Sequence, residues 1–220
     1  MNLFPLWNSL RIAFFASIII FFLGILLAYY VKKCPKWLKA ILDVILMLPL
    51  VLPPTVCGYL LILLVGANHP IGQFLQTIGI SFFMDWKGGI LASTLVAFPL
   101  MYRTTRGAFE AFDEDLASAG KTLGLSNSYI FWKIRLPNCK NGIIAGIVLS
   151  FARALGEYGA TSMLIGYIPN KTATISTTVA QAWSNNDTFT ALVWVLINIA
   201  ISAMVLVFIN LIEGKKGASK

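Results

Sequence analysis

Five apolar runs, each close to the length that spans a bilayer, constrain this chain more than any other feature. They cover 12–31, 41–65, 89–109, 143–165 and 189–212. A helix needs about 20 apolar residues to cross roughly 30 Å of hydrocarbon. No water is available there to satisfy backbone N–H and C=O groups, so the helix must satisfy them itself. An all-α membrane protein with five transmembrane helices is therefore expected. Charged residues make up 12% of the chain, about half the share of a soluble domain. The first run is too long for a signal peptide, lacks a small-residue cleavage site after it, and is followed by Lys32 and Lys33. It is expected to stay as a permanent helix.

The net charge of +8 would suit a nucleic-acid binder, but its placement argues for topology instead. With the polar stretch 114–137 on the cytoplasmic side, thirteen basic residues fall inside: Lys32, Lys33, Lys36, Lys39, Arg103, Arg106, Lys121, Lys133, Arg135, Lys140, Lys215, Lys216 and Lys220. Only Arg11, Lys87 and Lys171 fall outside, and Arg153 lies in a span. By the positive-inside rule the N-terminus is outside and the C-terminus cytoplasmic. Nucleic acid is not needed to explain the charge. Cys34, Cys57 and Cys139 are scattered without metal-ligand spacing, and His69 stands alone in the connection 66–87. No metal site is expected.

The stretch 114–137, EDLASAGKTLGLSNSYIFWKIRLP, is a polar island between apolar runs. Leu116, Ala119, Gly120 and Leu123 recur at helical spacing. Gly124 is suited to end that helix in a left-handed conformation. Ser126 or Asn127 can cap a second short helix carrying Tyr129, Ile130, Phe131 and Ile134. Pro137 then marks the approach to the next span. The island carries more apolar residues than its own small size can bury. It either packs on its own bundle or docks a soluble partner. Gly120-Lys121-Thr122 imitates the end of a phosphate-binding loop, but Asp115 stands where that motif needs glycine and no strand precedes it. Any ATP must be handled by a partner.

The island resembles the cytoplasmic coupling motif of ABC importer permeases: EAA, three residues, Gly, nine residues, Ile-x-Leu-Pro. Ser118-Ala119-Gly120 takes the EAA place, with Ser118 replacing the glutamate; Gly124, Ile134, Leu136 and Pro137 complete the pattern. With LPPTVCGYLL and RALGEYGAT further along, the whole chain resembles the molybdate permease branch of that family. The resemblance implies a type-1 importer permease domain over 6–211 with a coupling helix-turn-helix at 114–137. It implies ATPase coupling through Ala119, Gly120, Leu123, Gly124, Ile134, Leu136 and Pro137. It also implies a homodimer, cytoplasmic ABC ATPase subunits that use ATP-Mg, and an extracytoplasmic oxyanion-binding protein. No cofactor is expected on this chain. Transport would proceed by alternating access, with molybdate as substrate and tungstate or sulfate as alternatives.

Two further features sit inside spans. Pro53 and Pro54, with Pro49, interrupt the second span; each removes a backbone donor, so the break should face protein or a wet cavity. Arg153 and Glu157 lie four residues apart in the fourth span and can pair on one helix face. Charges at that depth cost roughly 2.5–3.5 kcal/mol each. They either fix helix packing or, with Gly159, line a translocation path or gate. Gly142 and Gly146 form a small-xxx-small face compatible with a homodimer. A remote alternative makes Glu157 the acid or base of an intramembrane enzyme, but no second catalytic group accompanies it.

Overall fold

The fold is described from a computed structural model covering residues 2–217; Lys220 lies outside the described residues. The helices are α1 (Phe4–Lys32), α2 (Lys36–Val51), α3 (Pro54–Val65), α4 (Pro70–Thr77), α5 (Trp86–Glu110) and α6 (Glu114–Thr122). They continue with α7 (Asn127–Tyr129), a π-helical stretch (Ile130–Arg135), α8 (Leu136–Asn138) and α9 (Lys140–Leu155). Last come α10 (Gly159–Ile165), α11 (Ile175–Ser184) and α12 (Thr188–Gly217). No strand occurs among the described residues.

Helices α1 and α12 are each long and apolar enough to cross a membrane, as are the bent pairs α2–α3 and α9–α10 taken together. The 25 residues of α5 reach about 37 Å at 1.5 Å per residue. This helix is less apolar because protein, not lipid, surrounds it; Ala92, Val96, Ala97, Met101, Tyr102 and Phe109 are buried. It packs along both α1 and α9, which also touch each other. Apolar side chains gain little from leaving lipid for another helix, so close backbone approach decides such packing. Accordingly the buried stripe of α1 is small: Ser9, Ala13, Ala16, Gly24 and Ala28, with Ile12 and Ile20 between them. Its large residues, Phe14, Ile18, Phe22 and Leu26, point outward.

Two expected spans are not straight. Helices α2 and α3 meet at 112°, far more than a kink. Leu52 precedes Pro53, and Pro53 precedes Pro54. A residue before proline is driven to extended backbone, and both adopt it, with ψ of 143° and 135°. The helix therefore stops at Val51 and restarts with Pro54 in its first turn. Pro49, by contrast, lies within α2 without ending it. The fourth span breaks between Leu155 and Gly159, with a bend of 54°.

The segment 169–187 is tucked against the fold. Asn8, fully buried, donates to the carbonyls of Thr172 and Ala173 at 3.1 and 3.0 Å, and Ser9 Oγ accepts from Ile175 N–H. Thr174 and Thr177 form a reciprocal capping box at the start of α11. Helix α11 is docked rather than exposed all round, with Ile175, Thr177, Thr178 and Ala182 buried. Gly142 and Gly146 are also corrected. They face Ala108, Thr104 and Met101 of α5, so this small-residue face serves packing within the chain.

Candidate functional site

Local chemistry builds the polar island as expected. Asp113 accepts from Asp115 N–H to cap α6. At the other end Gly124 has φ of +75°. Its N–H donates to Lys121 O at 2.9 Å, and Leu125 N–H reaches back to Gly120 O at 3.1 Å. This paired closure of the last carbonyls is a Schellman turn. Ser126 Oγ accepts from Tyr129 N–H at 3.2 Å and starts α7. The chain then widens into the π-helical stretch just before Pro137. Such widening relieves the clash between a proline ring and the preceding turn's carbonyl. Gly120, Lys121 and Thr122 form the end of α6, in helical backbone.

The seven coupling candidates separate into two sets. Gly120 is buried, and a Cβ there would lie 3.2 Å from both Ile130 Cγ1 and Ile134 Cδ1. Gly120 and the half-buried Ile134 thus close α6 onto the helix after it. Leu136 is half-buried on the side facing α1. Ala119, Leu123, Gly124 and Pro137 are exposed. Leu116 (45% exposed), Ala119 and, just past the helix end, Leu123 (78%) form one ridge that stays exposed among the described residues.

The island is fastened to the bundle by charge. Arg135 Nη1 and Nη2 grip Glu114 at 2.8 and 2.6 Å, and Lys32 Nζ at the end of α1 reaches the same carboxylate at 2.5 Å. Arg135 is buried, with its guanidinium 4.6 Å from the Phe112 ring. The bidentate hydrogen bond from Arg135, aided by Lys32, holds the Glu114 carboxyl down at about 2 and raises Arg135 in turn.

The two helix breaks meet. A Cβ on Gly159 would come within 2.9 Å of Pro54 Cβ and 3.2 Å of Thr55 N, and one on Gly58 within 2.9 Å of Ala160 backbone. Helices α3 and α10 therefore cross backbone to backbone. Glu157 sits in the break, 3% exposed. Its Oε1 accepts from Ala160 N–H at 2.8 Å, satisfying an orphan donor at the start of α10. Its Oε2 lies 2.6 Å from Arg153 Nη1, close enough for an ion pair although the angle is not that of a hydrogen bond. The pair expected in the sequence is thus present, but not on a continuous helix face: Arg153 is in α9 and Glu157 lies beyond its end.

A second polar cluster was not singled out from sequence. Asp43 of α2 accepts from Tyr102 Oη and pairs with Arg106, both on α5. Arg106 also pairs with Glu110, which Lys39 holds from the α2 side. No residue of α2 is buried, so this network is the main polar tie between α2 and the core. A cleft of about 610 Å³ lies beside it, between α2 and α5. An aspartate inside an apolar run was the available signal.

Residues 20–216 match the model of the binding-protein-dependent transport system inner membrane component family. The chain belongs to this family. It is therefore a multi-pass membrane permease component of an ABC-type importer. The molybdenum transport system permease protein ModB of Escherichia coli is 43% identical over 176 residues, covering 78% of this chain and 77% of that one. The putative molybdenum transport system permease protein YvgM of Bacillus subtilis is 36% identical over 207 residues, 94% and 91% of the two chains. The sulfate transport system permease protein CysW of Synechococcus elongatus is 34% identical over 179 residues, 81% of this chain and 66% of that one. Among solved structures, a bacterial alginate ABC transporter superposes with a TM-score of 0.76 at 17% identity, covering 97% of this chain and 79% of that one. The inward-facing MetNI methionine transporter gives 0.71 at 15% identity, covering 94% and 92%. The type-1 importer permease fold is thereby established.

Proposed function

We propose that this permease carries molybdate inward across the cell membrane, as a homodimer with two ATPase subunits and an extracytoplasmic oxyanion-binding protein. The observation that carries the substrate is the 43% identity to a molybdenum permease over more than three quarters of both chains. The partner ATPases bind and hydrolyse ATP-Mg; this chain supplies no catalytic group. Their docking surface is the ridge Leu116, Ala119 and Leu123, with Gly124 and Pro137 at its edge. Gly120 and Ile134 act behind it by locking two short helices into one rigid body. The Glu114–Arg135–Lys32 cluster joins that body to α1. ATP-driven approach of the ATPases then rocks the helices, and the meeting point of the two breaks, with Pro53, Pro54, Arg153, Glu157 and Gly159, opens and closes the path. The N-terminus is outside and the C-terminus cytoplasmic.

Sulfate is the second substrate favoured by a specific observation, the 34% identity to CysW. Oxyanion uptake by proteoliposomes holding the full complex separates the cases. Molybdate, with tungstate as its close analogue, should compete for uptake at concentrations where sulfate does not. Equal competition by sulfate would overturn the molybdate assignment.

A further inference from the structure

A groove of about 540 Å³ runs between α1 and the second half of the polar island. Its α1 wall is the ridge Phe22, Leu26 and Tyr30, spaced four residues apart, and ends at Lys33. Its other wall carries Phe131 and Trp132, with Ser128 at its rim. Phe22, Leu26, Tyr30 and Trp132 are between 51% and 64% exposed. The ridge Leu116–Ala119–Leu123 is not part of this groove, so ATPase docking there would leave it open.

The groove is layered like one leaflet. From Phe22 to Lys33 the helix rises about 16 Å, close to half of a hydrocarbon core of about 30 Å. Toward Phe22 its lining is apolar, with Phe21, Ile25 and Leu26, while Asn127 and Ser128 add polar groups on the island side. Its mouth holds Tyr30 and Trp132, the side chains that favour the membrane–water boundary, and one ammonium. Lys33 Nζ lies 3.7 Å from the Tyr29 ring centroid and 5.7 Å from that of Tyr30. Neighbouring Lys32 is spent on Glu114, whereas Lys33 has no carboxylate partner among the described residues. An aromatic-braced cation above a leaflet-deep apolar trough fits a phosphate headgroup with its acyl chains below. We infer that this groove is a binding site for an anionic phospholipid of the cytoplasmic leaflet. This rests on the orientation proposed above. A lipid there touches both α1 and the coupling body, so it braces the joint through which ATPase movement reaches the spans.

The test places a photo-crosslinking benzoylphenylalanine at Phe22, and separately at Trp132, in the full complex. The complex is held in nanodiscs of phosphatidylglycerol and phosphatidylcholine, and adducts are identified by mass. Phosphatidylglycerol adducts should exceed their share of the bilayer. Lys33→Gln should cut that enrichment about fivefold, the worth of one lysine near an anionic surface. Lys36→Gln, an equal charge change outside the groove, should leave it intact. Adducts in proportion to bilayer composition, equal effects of the two lysine variants, or adducts to a second permease copy or to the ATPase would each overturn the assignment. The readout is independent of transport, so a failed molybdate assignment leaves it standing.

Discussion

Glu114→Gln tests whether the coupling body is held by charge. The substitution keeps size and hydrogen-bonding capacity while removing the charge that Arg135 and Lys32 share. A carboxyl lowered from 4.5 to about 2 converts to roughly 3 kcal/mol at full strength. That figure must be reduced, because the Glu114 side chain is 55% exposed and exposed pairs are screened by solvent. The bidentate grip of an Arg135 side chain only 11% exposed keeps part of it. A loss of about 1–1.5 kcal/mol remains, or roughly a tenfold rise in local opening. Hydrogen exchange over 114–138 should quicken by that factor, while exchange in α1 and α5 stays unchanged. Because the carboxyl is lowered in the folded state, its contribution is complete above pH of about 4.5 and fades as pH falls toward about 2. The wild-type segment should therefore lose protection on acidification toward that range, and the variant should show little of that dependence. Unchanged exchange in Glu114→Gln at neutral pH would refute the idea that this cluster holds the island in place.

Glu157→Gln should lower thermal stability and uptake by more than Asp115→Asn, which has no ion-pair partner among the described residues; the loss stays below the roughly 3–5 kcal/mol of a fully buried pair because Arg153 is 31% exposed. Equal melting temperatures and uptake for the two variants would remove any special role from the pair. Gly124→Val should insert normally but fail to co-purify with the ATPase, at a backbone cost of order 1–2 kcal/mol; beyond its chain neighbours no atom of this chain lies within 4 Å of a Cβ there, so the cost inside the chain is backbone strain. Gly159→Ala should separate α3 from α10, because the added carbon meets Pro54 and Thr55 backbone, costing about 1–3 kcal/mol in a thermal melt; an unchanged melt would show that the crossing yields. In a Cys34→Ser background, an impermeant thiol reagent added from outside should label Lys171→Cys and spare Asn127→Cys, and the opposite pattern would reverse the topology.

Features that depend on adjacent residues were legible in the sequence, and those that depend on distant partners were not. Gly124 and Ser126 could be placed because a left-handed turn and an N-cap are settled within a few residues. Pro53 and Pro54 announced a break, but the 112° corner also needs α3 to lie on α10 through Gly58 and Gly159. Gly142 and Gly146 signalled close approach without saying to what, and the partner proved to be α5. Asp43 gave a signal, an acid inside an apolar run, but not its partner Tyr102, 59 residues away; Glu114 stayed silent because Arg135 lies 21 residues on, past two helix ends, and Lys32 lies 82 residues back. The most instructive case is α6. Its helical spacing gave an amphipathic helix, yet the small Ala117 and Gly120 turn inward while Leu116 and Leu123 stay outside. Two short helices packed at close range leave room only for small residues between them. The large Leu116 and Leu123 are then left facing outward, away from the helix that follows. That arrangement favours a docking ridge over a loop folded onto its own bundle.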